Sequence, residues 1–287
     1  MSETLRSKLD RGEFVLAPGI YDLISALIAD RMGFPALYVT GYGTVASYLG
    51  LPDAGLATYT DMLARVSVIA ERTRTPIIAD ADTGYGGLLN VRHTVRGYER
   101  AGVSAIQIED QQFPKKCGHT KNRRVVPLAE MVDKIKVAVD TRQNPDVLLI
   151  ARTDARTALG LDEALGRGEA YAEAGADILF IESPESEDEL ARIGSSFSVP
   201  VLANMVDGGR TPILSADRLR SLGFAMAIHP GLGFLASAGV LTKAYEHLKE
   251  TGTSTGHDLP YYSFDDFNRL IGFEDVWAFE EKYPQTY

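Results

Sequence analysis

The single cysteine of the chain, Cys117, lies in a segment whose neighbours are unusual for a structural thiol. Lys115 and Lys116 come before it, and Gly118 and His119 come after it. A structural cysteine is normally surrounded by apolar side chains, whereas nearby cations favour the reactive thiolate and attract anions. The segment therefore indicates either a thiol that acts as acid, base or nucleophile on an anionic substrate, or a surface loop that happens to be basic.

Two aspartates, Asp80 and Asp82, form a second candidate for chemistry, because they directly follow the apolar run at residues 76–79. In an extended chain, a spacing of two places both carboxylates on one side. There they could bind a hard cation such as Mg²⁺ or Mn²⁺. The alternative is a turn in which the aspartates accept hydrogen bonds from backbone amides. Zinc is disfavoured, since Cys117 and His119 have no second pair of ligands at a suitable spacing.

A rival function is indicated by residues 41–46, which match the G-x-G-x-x-A form of the dinucleotide-binding fingerprint. Asp61 follows at about the distance expected of the acid that binds a ribose. This pattern would make the chain an NAD(P)-dependent oxidoreductase. However, residues 51–55 interrupt the required helix, and no strand leads into Asp61. We favour a glycine turn whose amides face a substrate carboxylate.

Eight short apolar runs recur along the chain, and each is followed by a longer stretch with helical periodicity. The runs comprise residues 14–17, 36–40, 76–79, 105–108, 147–151, 177–181, 200–203 and 225–228. Nearly continuous Val, Ile, Leu and Ala is typical of strands that are buried on both faces of a parallel sheet. The alternation predicts an α/β fold, a (β/α)₈ TIM-type barrel, with a doubly wound open sheet as the alternative.

Polar residues, together with Gly41, collect where these runs end, and this is the end of a TIM barrel that carries the functional site. They are Thr40, Gly41, Tyr42, Asp80, Asp82, Glu109, Arg152, Asp154, Glu182 and Asn204. Arg152 ends an otherwise apolar run, so its guanidinium needs an anionic partner. That partner is either an acid such as Asp154 or Glu182, or a carboxylate of the substrate. The coincidence of fold and chemistry predicts one catalytic centre at this end.

The composition limits the class of protein. The 287-residue chain has a net charge of −10 at pH 7, so a basic surface for nucleic acid is not expected. An anionic substrate must then meet a local cluster of cations or a metal. A single cysteine excludes an internal disulfide and favours a cytoplasmic location. The N-terminus lacks the apolar core of a signal peptide, and no apolar run is long enough to span a membrane.

The pattern changes after residues 251–256, which are rich in threonine and glycine. Aromatic residues follow at irregular spacing, and they are too many to lie exposed on a polar tail. We therefore expect residues 1–250 to form the catalytic barrel. Residues 251–287 are expected to form a helical extension that packs on the barrel or on a neighbouring subunit.

Seven segments, taken in their order, resemble the isocitrate lyase / phosphoenolpyruvate mutase superfamily over about residues 14–283. They are residues 38–41, 50–53, 80–86, 108–111, 114–119, 151–154 and 202–205. The Lys-Lys-Cys-Gly-His sequence is similar to the carbon–carbon lyase branch, whose members cleave alkylmalates or methylisocitrate. The resemblance implies a TIM-type barrel whose C-terminal helices are exchanged between the subunits of a homotetramer.

The resemblance also implies roles in binding. Asp80 and Asp82 would hold Mg²⁺ or Mn²⁺, and Asp53 and Glu109 would act through water or in proton transfer. The residues expected to hold the substrate are Thr40, Gly41, Tyr42, Gly118, Arg152, Glu182 and Asn204. Tyr38, together with Glu109 or Glu182, is the candidate base for the substrate hydroxyl.

The catalytic roles implied by the resemblance centre on the cysteine segment. Cleavage of a 2-hydroxy acid between C2 and C3 releases a 2-oxo acid and the enolate of a second carboxylate. Cys117 would deliver a proton to this carbanion-like fragment. Lys115, Lys116 and His119 would stabilise its negative charge.

The expected substrate is a 2-hydroxy dicarboxylate, an alkylmalate or a methylisocitrate-like compound, which yields pyruvate or a similar 2-oxo acid. Members that cleave tricarboxylates use extra arginines after the last strand and in the C-terminal helices. Here residues 230–240 carry no charge and Phe264 stands at the aligned C-terminal position, so a smaller alkylmalate is favoured. The alternatives are an oxaloacetate hydrolase or decarboxylase and carboxyphosphonoenolpyruvate mutase. Oxaloacetate-hydrolysing members tend to have a serine where this chain has Pro230.

Overall fold

Eight parallel strands form a closed barrel in the computed structural model, which describes residues 3–118 and 123–284. They are β1 (Val15–Ile20), β2 (Leu37–Val39), β3 (Ile77–Asp80), β4 (Ala105–Glu109), β5 (Leu148–Thr153), β6 (Ile178–Ile181), β7 (Val201–Asn204) and β8 (Met226–His229). Neighbours in the sequence pair with each other, and β8 pairs with β1. The predicted TIM-type barrel is confirmed, and the alternative of an open doubly wound sheet is wrong.

Helices follow the strands, as the sequence periodicity indicates. In the described residues they are α1 (Leu5–Asp10), α2 (Leu23–Asp30), α3 (Gly41–Leu49), α4 (Tyr59–Arg72), α5 (Leu88–Arg100), α6 (Leu128–Thr141), α7 (Ala155–Leu159), α8 (Leu161–Glu173), α9 (Glu187–Ser195), α10 (Ala216–Ser221), α11 (Leu232–Thr251), α12 (Phe264–Ile271) and α13 (Phe273–Lys282). Helix α8 is followed by Gly175, which has the left-handed φ of 102° that favours glycine after a helix. No helix in this part of the chain is both long enough and apolar enough to cross a membrane.

The apolar runs are continuous because each strand is buried on both faces. One buried cluster consists almost entirely of strand residues, among them Tyr38, Ile78, Leu148, Phe180 and Ile228, and fills the barrel. Two other clusters combine strand residues with residues of the surrounding helices. A barrel strand therefore has no solvent-facing side on which polar residues could alternate.

Strand β5 is longer than the apolar run from which it was predicted. Arg152 and Thr153 continue its ladder, with Phe180 and Ile181 as their partners on β6. On the other side, Arg152 is paired with Glu109 of β4. A charged side chain thus stands within the sheet and is directed by the strand itself, not by a loop beyond it.

The chain forms two compact units, residues 1–233 and 234–287. The second unit contains most of α11 together with α12 and α13, and it exposes several large apolar side chains. They include Tyr245, Phe264, Trp277, Phe279 and Tyr283. Helices are therefore present in the predicted extension at residues 251–287, and the domain boundary near residue 250 stays a prediction.

Candidate active site

Two carboxylates meet at the carboxyl end of β3. Asp80 is the last residue of this strand, and Asp82 follows in a left-handed conformation with φ of 48°. The backbone N–H of Asp82 donates to Asp80 Oδ1 at 3.0 Å. A Cβ atom added to Gly41, the first residue of α3, would lie 2.6 Å from Asp80 Oδ2 and 3.5 Å from Asp82 Oδ1. Both carboxylates therefore lie close to Gly41. A tight turn at Asp82 brings them there, and not an extended chain as the sequence suggested.

A lysine ammonium lies within this acidic cluster. Lys115 Nζ is 2.6 Å from Asp53 Oδ1 and 2.5 Å from Asp82 Oδ1, and the lysine side chain is only 4% exposed. Burial alone would lower the pKa of Lys115, but Asp82, Glu109 and the other carboxylates raise it well above its ordinary value. The ammonium thus stays charged and compensates the aspartates. From the sequence, Lys115 was expected beside the enolate fragment, and its place between two carboxylates was not foreseen.

Burial dominates the ionisation of the acids in this cluster. It raises the pKa of Asp82 to about 7, against the opposing effect of Lys115. It also raises the pKa of Glu109 well above its ordinary value, although the guanidinium of Arg152 opposes this shift. Both shifts show that the nearby cations of the protein compensate the carboxylates only in part.

Gln107, a fully buried polar residue of β4, connects Tyr38 to Asp80. The Tyr38 hydroxyl donates to Gln107 Oε1 at 3.2 Å, and Gln107 Nε2 donates to Asp80 Oδ1 at 3.4 Å. Because the amide nitrogen of Gln107 donates to the carboxylate, its amide oxygen must accept from the Tyr38 hydroxyl. Burial and the charge of Asp80 raise the pKa of Tyr38 well above its ordinary value. Gln107 was not among the predicted site residues, although a lone polar residue within an apolar strand was an available signal.

Arg152 is surrounded by carboxylates inside the barrel mouth. Its guanidinium donates twice to Asp154, from Nε at 2.9 Å and from Nη2 at 3.0 Å. It also lies 3.2 Å from Glu182 Oε2 and 3.4 Å from Glu109 Oε2. Asn204 Nδ2 donates to Glu182 Oε2 at 3.0 Å, which fixes this glutamate from the other side. Both acidic partners considered from the sequence are therefore in contact with the arginine.

The cysteine segment, residues 112–118, is called the active-site loop below, and it is fixed to the acidic cluster by its backbone. The side-chain amide of Gln111 donates to Lys116 O at 2.8 Å and accepts from Lys116 N–H at 3.0 Å. The N–H of Cys117 donates to Asp53 O at 3.2 Å. Cys117 is half-buried and lies two residues from the ammonium that pairs with the aspartates. The loop thus holds the backbone of Cys117 beside Asp53, a member of the acidic cluster.

The remaining predicted residues are less closely tied to these clusters. Thr40 is the buried residue that precedes α3, and Tyr42 is exposed in the first turn of this helix. Residues 41–43 therefore begin a helix and do not form the predicted glycine turn. His119 lies outside the described residues. Gly118 ends the described part of the active-site loop and contacts the arginine cluster.

The geometry of α3 and α4 is incompatible with a dinucleotide fingerprint. Helix α3 has nine residues and ends before Gly50, which adopts a left-handed φ of 64°. Asp61 does not follow a strand but caps α4, where its carboxylate accepts from Thr58 N–H at 2.9 Å. A dinucleotide site requires a longer helix after the glycines and a strand that carries the acid.

The acidic cluster has the donor chemistry of a hard-cation site. Both donors to the Asp80 carboxylate, the Asp82 N–H and Gln107 Nε2, bind its Oδ1. Among the described residues, Glu109 Oε1 is buried without a hydrogen-bond partner. Within residues 3–118 and 123–284, no three acidic, histidine or cysteine side chains form a complete metal centre. Mg²⁺ often takes only one or two carboxylates and completes its shell with water and substrate. Asp80 and Asp82 fit that requirement.

A buried acidic centre at the carboxyl end of a TIM-type barrel, next to a loop that carries a thiol, has the position of the active site in enzymes with this fold. The family model of phosphoenolpyruvate phosphomutase matches residues 5–249. The chain belongs to this family, within the phosphoenolpyruvate mutase/isocitrate lyase superfamily.

Curated relatives and solved structures support this assignment. The chain is 50% identical to a 2,3-dimethylmalate lyase of Eubacterium barkeri, over 97% of this chain and 96% of the relative. It is 41% identical to a 2-methylisocitrate lyase of Aeropyrum pernix, over 94% and 87% of the two chains. A solved oxaloacetate acetylhydrolase superposes with a TM-score of 0.93 at 32% identity, over 99% and 97% of the chains. The predicted superfamily and its lyase branch are confirmed.

We expect that Lys115→Met lowers the thermal midpoint of the metal-free protein, because removing one partner of a buried ion pair costs about 3–5 kcal/mol. Adding Mg²⁺ should then raise the midpoint of this variant more than that of the wild type, since a cation would replace part of the lost compensation. Lys116→Met is the matched control. Equal responses to Mg²⁺ in the two variants would show that Lys115 does not compensate a cation site.

Proposed function

We propose that the chain is a Mg²⁺-dependent carbon–carbon lyase that cleaves a 2-hydroxy dicarboxylate between C2 and C3. The observation that carries this proposal is the attachment of the active-site loop to the acidic cluster. Lys115 pairs with Asp53 and Asp82, and the N–H of Cys117 donates to the backbone of the same Asp53. A proton donor, a buried cation and a pair of carboxylates suited to a metal are thereby held within one small region.

The roles of the residues follow from their contacts. When bound at Asp80 and Asp82, Mg²⁺ would polarise the oxygens of the fragment that becomes the 2-oxo acid. Glu109 is our candidate to accept the hydroxyl proton, because its Oε1 is buried and has no hydrogen-bond partner in the described residues. Tyr38 donates its own proton to Gln107, so we assign it to orientation of the site.

The second half of the reaction needs a proton donor for the enolate. Cys117 is the proposed donor, since the loop holds its backbone beside Asp53 and the residue is half-buried. The ammonium of Lys115 is already desolvated and fixed, so it can stabilise negative charge without reorganisation. Lys116 and His119 keep the predicted role of additional cations.

The proposed substrate is a malate that carries alkyl groups, released as pyruvate or a similar 2-oxo acid and a second carboxylate. The relative that is 50% identical is named for an alkylated malate. In addition, the stretch at residues 230–240 contains no charged residue that could bind a third carboxylate. A buried carboxylate without a partner costs several kcal/mol.

We further propose that the protein is a homo-oligomer that associates through its C-terminal helices. Phe264 is 80% exposed and Phe279 is 62% exposed on two successive helices of the second unit. Aromatic side chains are enriched in surfaces that bind another protein, and several are exposed on these helices.

The experiment that tests the function is a substrate panel with Mg²⁺ present, assayed for released 2-oxo acid or oxalate. The panel contains alkylmalates, 2-methylisocitrate, oxaloacetate and phosphonates. We expect 2-oxo acid from an alkylmalate, with kcat/KM about 10²-fold above that for the tricarboxylate. EDTA should abolish the activity, and Mg²⁺ or Mn²⁺ should restore it. Release of oxalate alone would instead identify a hydrolase, and activity that persists in EDTA would contradict the metal.

Cys117→Ser tests the proton donor. The hydroxyl is a much weaker acid than the thiol, so we expect kcat to fall by about 10²–10⁴-fold. The loop backbone is unchanged, and product binding, measured as a thermal shift with the 2-oxo acid, should remain within a few-fold. A nearly normal kcat would rule out the cysteine as the acid.

The oligomer is tested by sedimentation velocity of Phe264→Asp. This change places a charge on the exposed aromatic surface, and we expect the variant to sediment as a smaller species than the wild type. Met32→Asp is the control, because Met32 is also well exposed, at 65%, but lies in the first unit. An unchanged sedimentation coefficient for the Phe264 variant would contradict association through this surface.

A further inference from the structure

A serine that follows β6 contacts the active-site loop. Ser183 is fully buried, and its backbone has a left-handed φ of 60°. Its hydroxyl oxygen lies 3.0 Å from the carbonyl oxygen of Gly118 and 3.0 Å from Glu182 Oε1. One acceptor belongs to the loop, and the other belongs to the residue that precedes the serine.

Gly118 lies directly on the arginine cluster at this contact. A Cβ atom on Gly118 would be 2.8 Å from the Glu182 carboxylate and would collide with the guanidinium of Arg152. A side chain at this position would therefore force the loop, Arg152 or Glu182 to move. The backbone of Gly118 thus lies against the Arg152–Glu182 pair, and its carbonyl accepts from the Ser183 hydroxyl at this place.

The hydroxyl of Ser183 carries one proton and has two acceptors, so it donates fully to only one of them at a time. When a buried hydroxyl loses its only acceptor, the folded state of the protein is destabilised. Here the second acceptor, Glu182, is present whether or not the loop is in place. The hydrogen bond to Gly118 can thus form and break without leaving the hydroxyl unsatisfied.

The backbone of Ser183 supports a role for its side chain. A left-handed conformation is unfavourable for a residue that has a Cβ atom, and glycine adopts it more readily. Ser183 therefore holds a conformation for which glycine is better suited, and it contributes a hydroxyl that glycine would lack.

We propose that Ser183 is a positioning residue that holds the active-site loop over the site through the Gly118 carbonyl. When the loop lifts, the hydroxyl exchanges this acceptor for Glu182. The catalytic consequence depends on the proposed function, because Cys117 reaches the enolate only while the loop is held down. The positioning itself requires neither substrate nor metal.

The test uses the reactivity of Cys117, which is the only thiol of the chain. Because Cys117 is half-buried while the loop is in place, its alkylation by iodoacetamide should become faster the more often the loop leaves the site. We expect Ser183→Ala and Ser183→Gly to react about five- to tenfold faster than the wild type, since one hydrogen bond shifts an equilibrium by that order. The control is Ser67→Ala, which removes a hydroxyl that donates to Leu63 O within α4, and its rate should be unchanged.

The two substitutions separate the hydroxyl from the backbone. If only the alanine variant reacts faster, strain at Ser183 is responsible and the proposal is wrong. If both variants react at the wild-type rate, the hydroxyl does not hold the loop and the proposal is also wrong. A faster rate in both, with thermal midpoints close to that of the wild type and a lower kcat on the substrate found in the panel, would support it.

These results also distinguish the proposal from the proposed function. Alkylation is measured on the free protein, so faster alkylation without any lyase activity would overturn the function and leave the role of Ser183 in place. Lyase activity together with an unchanged alkylation rate in the Ser183 variants would support the function and overturn the role of Ser183.

Discussion

The burial of several carboxylates at the mouth of the barrel is the constraint on which the site depends. Asp53 and Asp82 are taken out of water, and such charges are tolerated only when they are paired. The ammonium of Lys115 supplies that pairing from the active-site loop. The requirement fixes the place of the loop and, with it, the place of Cys117. It also explains Gly41, because any side chain there would collide with the Asp80 carboxylate.

The same constraint recurs around Arg152 on β5, two strands further along the sheet than β3. Its guanidinium is shared among Asp154, Glu182 and Glu109, and the last of these also acts on Lys115 electrostatically. The two clusters are thus one continuous network of opposite charges. Charges that are fixed before the substrate arrives need no reorganisation during the reaction, which is how such a site stabilises a developing anion.

The barrel could be predicted from the sequence because a strand that is buried on both faces consists of a short apolar run, which is recognisable locally. The ends of those runs likewise marked Asp80, Glu109, Arg152 and Asn204. No comparable sequence pattern indicated the left-handed turn at Asp82, since its conformation depends on contacts with other elements. The place of Lys115 depends on pairing with residues that are distant in the sequence. Likewise, the Ser183 hydroxyl donates to the carbonyl of Gly118, which is 65 positions earlier in the chain. Such long-range contacts have no periodicity from which to predict them.

The active-site loop combines functions that the barrel could not supply separately. Lys115 neutralises the aspartates, and Gly118, three residues later, covers the Arg152–Glu182 pair. Cys117 lies between these two attachments, so its position is set when both are made. A thiol on a rigid strand would be fixed but would obstruct substrate entry, whereas a thiol on an unattached loop would be accessible but poorly positioned. Attachment at two points would satisfy both demands for the proposed proton donor, because Cys117 would be correctly placed only while the loop covers the site.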